Sequence, residues 1–228
     1  MKVNNWNITN AQAKQWNVTK GHNTISNPSE WGTGEFSPVL FDGRIGWQTW
    51  TITLLVYGSS RVNIQANIST ILGKMTGPVD LELDGFTRKF YGILKTIAVE
   101  ESSIRRFHKL TLTLDGYEYS AQMTASGSSS IAVSNPGTLP TPCILTLTPT
   151  QAAGSITVSG FYTGSLTVTN VTSGKAIVIN GETGVITENN VLKDYAIWRL
   201  PALSPGSSTI TISSSHCTAQ IQFKPRYM

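Results

Sequence analysis

Charge is scarce in this sequence: Asp, Glu, Lys and Arg make up only 13% of its 228 residues, against 39% hydrophobic ones. Ser, Thr, Asn and Gly supply much of the rest, a balance of strand and turn formers with too little charge for disorder. No apolar run approaches the roughly 20 residues that a membrane-spanning helix needs. The opening MKVNNWNITN lacks the apolar centre of a secretory signal, so the expected product is soluble, made in the cytoplasm and free of any membrane partner. The four Asn-x-Ser/Thr matches, at Asn7, Asn17, Asn67 and Asn170, therefore carry no weight. Cysteine is nearly absent: Cys143 and Cys217 have no CxxC spacing and are expected as small buried strand residues. A disulfide is the lesser expectation, and it requires the first and last strands of the C-terminal half to pair and bring the two together.

The groups that carry chemistry are equally sparse. The three histidines, His22, His108 and His216, stand isolated among strand or turn residues and are expected as surface or satisfied strand residues. His216-Cys217 is a poor chelate, because neighbouring strand residues point to opposite faces. Asp80 and Glu82 share one face of a strand at the separation a glycosidase pair needs, but alternation makes them its solvated side; Glu100-Glu101 sit in a charged turn. No GxSxG, GxxxxGK[ST], HExxH or GxGxxG pattern occurs. No catalytic, cofactor or metal site is expected. The net charge of +4 is scattered, with Arg88-Lys89 and Arg105-Arg106 the densest pairs, whereas nucleic-acid binders gather charge on a face, so sequence-specific nucleic-acid binding is not expected either.

What the chain does contain is strand patterning around one helix. Ile64, Ile68, Ile71, Leu72 and Met75 recur on one face of a 3.6-residue period, Ser59 or Ser60 can cap the start, and Gly77-Pro78 cannot extend the end. Val79, Leu81 and Leu83 then alternate with Asp80 and Glu82 up to Asp84-Gly85, and Phe86, Arg88 and Phe90 follow, predicting a β-hairpin with a two-residue turn of positive φ. Strands are predicted at 35–41 and 47–57, around Ile93, Ile97 and Val99, and around Leu110, Leu112 and Leu114. Trp6-Asn7-Ile8-Thr9 echoes in Trp16-Asn17-Val18-Thr19, as two related strands around a turn would. Five of the six tryptophans fall within the first 50 residues, among these strands, where core or subunit-interface packing is their expected use.

Residues 126–142, SGSSSIAVSNPGTLPTP, lose apolar patterning and predict a linker, with a boundary near Ser134. Length permits the two domains this gives, 1–133 and 134–228. Beyond it, short strands are predicted at 144–147, 155–161, 164–170, 176–180, 184–187, 196–200, 207–213 and 218–223, the spacing of a β-sandwich. The fold class is thus mainly β: an N-terminal sandwich-like domain with one helix and a hairpin, then a second sandwich. Trp198 is the only tryptophan of that second domain and the candidate contact if it binds glycans.

In order and spacing, several segments together resemble the distal tail protein (Dit-like) family of long-tailed phages and prophages of Gram-positive bacteria. They are AKQWNVT (13–19), GSSR (58–61), PVDLELDGF (78–86) leading to YG (91–92), LTLDGYEY (112–119), NPGT (135–138) with Pro142, INGETG (179–184), LSPGSSTI (203–210) and IQFKPRY (221–227). Ser207-Ser208 departs from the Asn usual after Pro-Gly, which weakens one turn. The resemblance implies a ring-forming N-terminal domain, a homo-hexamer around the tail channel, and a C-terminal galectin-like β-sandwich outside it that serves as a docking surface. The ring would join the tail tube protein to tail-tip or baseplate proteins in the virion tail. No room is left for the carbohydrate-binding insertions of longer relatives. Contacts between subunits are assigned to the hairpin from Val79 to Tyr91 and the arm from Ile93 to Leu114, with Arg88, Lys89, Arg105 and Arg106 as polar candidates. The alternative is a carbohydrate-binding module that recognises the bacterial wall.

Overall fold

A computed structural model describes residues 1–30, 33, 36–37, 39–40, 43–102, 106–193, 195 and 197–228. The chain forms two compact units, Met1–Glu118 with Met228, and Tyr119–Tyr227. The N-terminal unit contains β1 (Lys2–Val3), β2 (Trp6–Asn7), β3 (Ala13–Ser26), β4 (Ser29–Glu30), β5 (Val39–Leu40), β6 (Arg44–Tyr57), α1 (Arg61–Gly73), β7 (Pro78–Glu82), β8 (Lys89–Glu101) and β9 (Phe107–Tyr119). Its main sheet runs β2-β1-β7-β8-β9-β6-β3, and β4 and β5 pair separately. Trp31 and most of the strand predicted at 35–41 lie outside the described residues.

Alternation in β6 and β9 builds the core. Antiparallel pairing sets Trp50 opposite Leu114, Ile52 opposite Leu112, Leu54 opposite Leu110 and Val56 opposite His108, all buried on one face, while the threonines between them point the other way. The helix closes this face with Ile64, Ile68, Ile71 and Met75, and Leu72 is partly buried, as its periodicity predicts. Each such side chain contributes about 2 kcal/mol by leaving water. Ser60 is the N-cap, its backbone extended and its Oγ accepting the Asn63 N–H at 3.2 Å. The helix stops at Gly73, before Gly77-Pro78, because the Lys74 and Met75 N–H groups turn back to the Ile71 and Leu72 carbonyls.

The hairpin forms, but its connection is longer than the predicted two-residue turn. Pairing between β7 and β8 ends at Leu81 opposite Phe90. Of Asp84 and Gly85, only Gly85 has positive φ (84°), and the Phe86 N–H bonds the Leu83 carbonyl. Contacts from elsewhere shape this loop: Phe86 stacks on Trp50 at 5.4 Å, Gln15 bonds both the N–H and the carbonyl of Asp84 at 2.9 Å, and the Met1 ammonium donates to Asp84 Oδ1 at 2.7 Å. The Trp6/Trp16 echo is not a structural repeat. Trp6 begins a two-residue strand that runs into a 3₁₀ turn, Ile8–Ala11, whereas Trp16 lies well inside β3.

The C-terminal unit is a two-sheet sandwich. Its strands are β10 (Met123–Gly127), β11 (Ser130–Asn135), β12 (Thr141–Pro149), β13 (Ala153–Phe161), β14 (Gly164–Val171), β15 (Ile177–Asn180), β16 (Ile186–Glu188), β17 (Val191–Leu192), β18 (Ala202–Leu203), β19 (Gly206–Ile212) and β20 (Cys217–Phe223). One sheet runs β10-β20-β12-β15-β16-β17, with β18 on the end of β12, and the other β11-β19-β13-β14. Leu145, Ile177 and Ile221 from the first meet Ile156, Val158, Leu166 and Ile210 from the second in one core.

The predicted linker and the boundary near Ser134 are corrected. β10 pairs with β20 and β11 with β19, so residues 123–135 belong to both sheets of the sandwich, and the division falls between Glu118 and Tyr119. Ile131 and Val133 face the core; Ser and Ala on the outward positions hide that alternation in the sequence. No strand forms across 197–200, and Ala196 lies outside the described residues. Both cysteines are free and buried. β12 and β20 do pair, but Cys143 stands opposite Phe223 and Cys217 opposite Pro149, at opposite ends of the ladder and about 20 Å apart at roughly 3.3 Å per residue. His22 and His216 are exposed, whereas His108 is buried with no hydrogen-bond partner on either ring nitrogen among the described residues, unlike the satisfied residue expected.

Because an apolar replacement removes an unmet polar group, His108→Leu should raise unfolding stability by about 1 kcal/mol, read from urea midpoints. A loss would show that the ring has a partner. Burial pushes the Cys143 thiol from 9.0 up to about 12. The folded thiol then keeps its proton where the unfolded one loses it, so this contribution is complete below about pH 9 and disappears as pH rises from about 9 to about 12. Unfolding free energies measured across that window should fall less steeply in Cys143→Val.

Candidate assembly surface

The face of the N-terminal sheet opposite α1 carries an aromatic row. Tyr117 in β9 lies 6.4 Å from Trp47 in β6 and 5.5 Å from Tyr91 in β8, and Tyr57 lies 6.1 Å from Phe107 across the same ladder. Asp115 ties three strands on this face, accepting from Thr49 Oγ1 at 2.7 Å and meeting Lys95 at 3.4 Å. Near the helix end of the sheet, Trp16, Leu55 and Phe107 line an open cleft of about 590 Å³ bordered by the Glu100–Lys109 ion pair at 3.1 Å. Trp16 is 65% exposed there.

Beside this cleft the distal half of β8 is bare. β7 pairs only with Phe90–Ile93, so Leu94–Glu101 has no neighbour on that side among the described residues. The expected burial of Ile93, Ile97 and Val99 is corrected: all three are exposed, Ile97 at 48% and Val99 at 47%, and they share the parity of Tyr91 and Lys95, which meet Tyr117 and Asp115 on the sheet face away from α1. Strand alternation alone does not say which neighbours a strand has.

The predicted polar contacts divide. Arg88 bonds Glu118 Oε2 at 3.3 Å, while Lys20 meets Glu118 Oε1 at 2.6 Å and lies over the Trp50 ring at 5.4 Å. Glu118 is buried, so these cations serve the fold. Lys89 is half-exposed and reaches Glu82 only at 3.9 Å, beside Lys2 at 3.3 Å. Arg106 is exposed, with its carbonyl accepting the Gly58 N–H; Arg105 lies outside the described residues. Arg88, Lys89 and Arg106 make separate contacts. Sequence reading missed the Lys20–Glu118–Arg88 cluster, whose members are far apart in the chain, and the Trp16 cleft. Trp16 lies at a register shift of the β3–β6 pairing, between Gln15 and Asn17, so it points outward although Val18, of the same parity, packs against the core.

In the C-terminal unit, Trp198 is 95% exposed. It lines an open groove of about 670 Å³ with Tyr162, Thr163, Gly164, Arg199 and Leu200. Among the described residues no three His, Cys, Asp or Glu side chains are grouped to hold a metal ion, and no helix is long and apolar enough to cross a membrane.

Residues 136–227 match the family described as "Siphovirus-type tail component, C-terminal domain". No curated protein matches the sequence. Among solved structures, the SPP1 Dit (gp 19.1) protein, described as a paradigm of the hub adsorption apparatus in phages infecting Gram-positive bacteria, superposes with a TM-score of 0.78 at 14% identity, covering 99% of this chain and 98% of that one. A chain of the phage P2 baseplate in its activated conformation with Ca superposes with a TM-score of 0.52 at 11% identity, covering 96% and 92%.

The ion cluster yields a measurable asymmetry. Lys20 makes the shorter contact and also covers Trp50, so Lys20→Met should cost about 3 kcal/mol in urea unfolding, and Arg88→Met, whose partner keeps Lys20, about 1 kcal/mol. Equal costs would assign the two cations equal roles.

Proposed function

We propose that this chain, a Dit-like phage tail protein whose C-terminal unit belongs to the siphovirus-type tail component family, is the structural hub of the tail tip. In this reading it forms a homo-hexameric ring and joins the tail tube protein to tail-tip or baseplate proteins, working by surface burial and strand pairing, with no catalytic step. It acts in the virion tail after synthesis in the host cytoplasm.

The observation that carries the ring is the bare edge of β8 from Leu94 to Glu101, with Ile97 and Val99 exposed beside the Trp16–Phe107 cleft. A long unpaired edge with apolar side chains is a liability that monomeric proteins cover or charge. A projecting arm and a receiving cleft on one subunit are different surfaces, and their contact is head-to-tail; such an interface closes into a ring when its rotation allows. The half-exposed Lys89 and the exposed Arg106 would lie at the polar rim of that contact, where charges adjust specificity more than affinity. The sandwich then remains available for docking, as the matched family is one of tail components.

Light scattering coupled to gel filtration should give the mass of six subunits, and negative-stain images should show a six-fold ring. Ile97→Lys with Val99→Glu should release smaller species while leaving the thermal melt within about 0.5 kcal/mol of the parent, since both positions are exposed. A parent protein that stays monomeric at high concentration overturns the proposal.

A further inference from the structure

The groove at Trp198 has a composition that neither the fold nor the hub reading uses. Its indole is 95% and the Tyr162 ring 61% exposed, so two aromatic faces lie bare beside one another in one concavity. Arg199, next in the chain, makes no hydrogen bond or ion pair among the described residues. Glu182, next in the chain to Gly181 of the groove lining, is paired with Arg226 Nη2 at 2.7 Å. The groove therefore presents, among the described residues, an unpaired guanidinium together with two exposed aromatic rings.

This arrangement is held in place. The Tyr162 N–H bonds the Ala202 carbonyl at 2.8 Å, Thr163 Oγ1 donates to the Leu200 carbonyl at 2.8 Å, and the Cys143 N–H bonds the Pro201 carbonyl at 3.1 Å. The segment following Trp198 and Arg199 is thus stapled to β12 on one side and to the turn between β13 and β14 on the other. Gly164, in that turn at φ 97°, lies under the guanidinium: a Cβ there would come within 2.5 Å of Arg199 Nη1. The guanidinium therefore passes close over Gly164. A backbone held in advance lowers the ordering cost of binding.

We infer that this groove is a binding site for an anionic saccharide, one face of a sugar ring stacking on Trp198 and Tyr162 and its carboxylate or phosphate paired with Arg199. An aromatic face supplies a sequence-tolerant apolar platform for a flat partner. A planar guanidinium matches carboxylate and phosphate oxygens two at a time. A neutral sugar leaves the guanidinium unused, and a simple anion leaves both rings bare; only a ligand with both features fills the site.

The test uses the full chain on an array of carboxylated, phosphorylated and neutral saccharides. Retention of acidic members at least tenfold over their neutral counterparts is expected. Trp198→Ala should lower all retention at least tenfold, Arg199→Gln should abolish the preference for acidic over neutral members, and Arg199→Lys should restore it only in part. Light scattering on the same variants should show an unchanged assembly, which separates this site from the ring. No retention by the parent, retention unaffected by both substitutions, or a change of assembly in Trp198→Ala overturns the inference, the last by showing that the groove is a protein contact.

Discussion

The register between β6 and β9 is the constraint on which the N-terminal unit depends. With Trp50 opposite Leu114 and Val56 opposite His108, the buried side chains Trp50, Ile52, Leu54, Val56, Leu110, Leu112 and Leu114 all fall on the face that α1 covers. A slip of one residue would carry Thr51, Thr53, Thr111 and Thr113 inward and the leucines out, so burial itself defends the pairing. Trp50 then fixes what surrounds it. Phe86 and Phe90 pack on its ring, Lys20 lies over it, and its Nε1 donates to Gln48, whose amide reaches Asn23. The hairpin loop and the long β3–β6 pair are both set by contacts with this one buried indole.

That register also decides what faces outward. The opposite parity carries Trp47, Tyr57, Tyr91, Phe107 and Tyr117, an aromatic row on a sheet face the helix leaves open. Burying one face of an amphipathic sheet commits the other to solvent or to a partner. The second face carries these aromatics and the β8 edge lies bare beside it, and the proposed ring would use both. The fold and the proposed ring thus follow from the same alternation.

The C-terminal sandwich separates fold from function differently. Its core is an ordinary apolar interleaving of two sheets, while its one notable surface sits on an irregular segment between β17 and β18. Loops held by a rigid scaffold can present side chains that strands would bury. Trp198 placed in a strand would have been half-covered; placed in a stapled loop, it is bare and beside a free cation.

Alternation and capping in the sequence were enough to determine the helix from its isoleucine face and a capping serine at 59 or 60, the existence of the hairpin, and most of the alternating strands of both units, because these depend on residues a few positions apart. The family resemblance was legible as well, in ordered turn motifs such as Asn180-Gly181 and Pro205-Gly206. Only the tertiary structure decided the rest. The length of the hairpin loop was set by Gln15 and Trp50, distant in the chain. Residues 123–135 became sandwich strands through pairing with β19 and β20, near the far end of the chain. The buried Glu118 found its cations in Lys20 and Arg88, which come to it from elsewhere in the chain. Each of these is a contact between residues far apart in sequence, and local pattern carries no information about which distant segment arrives.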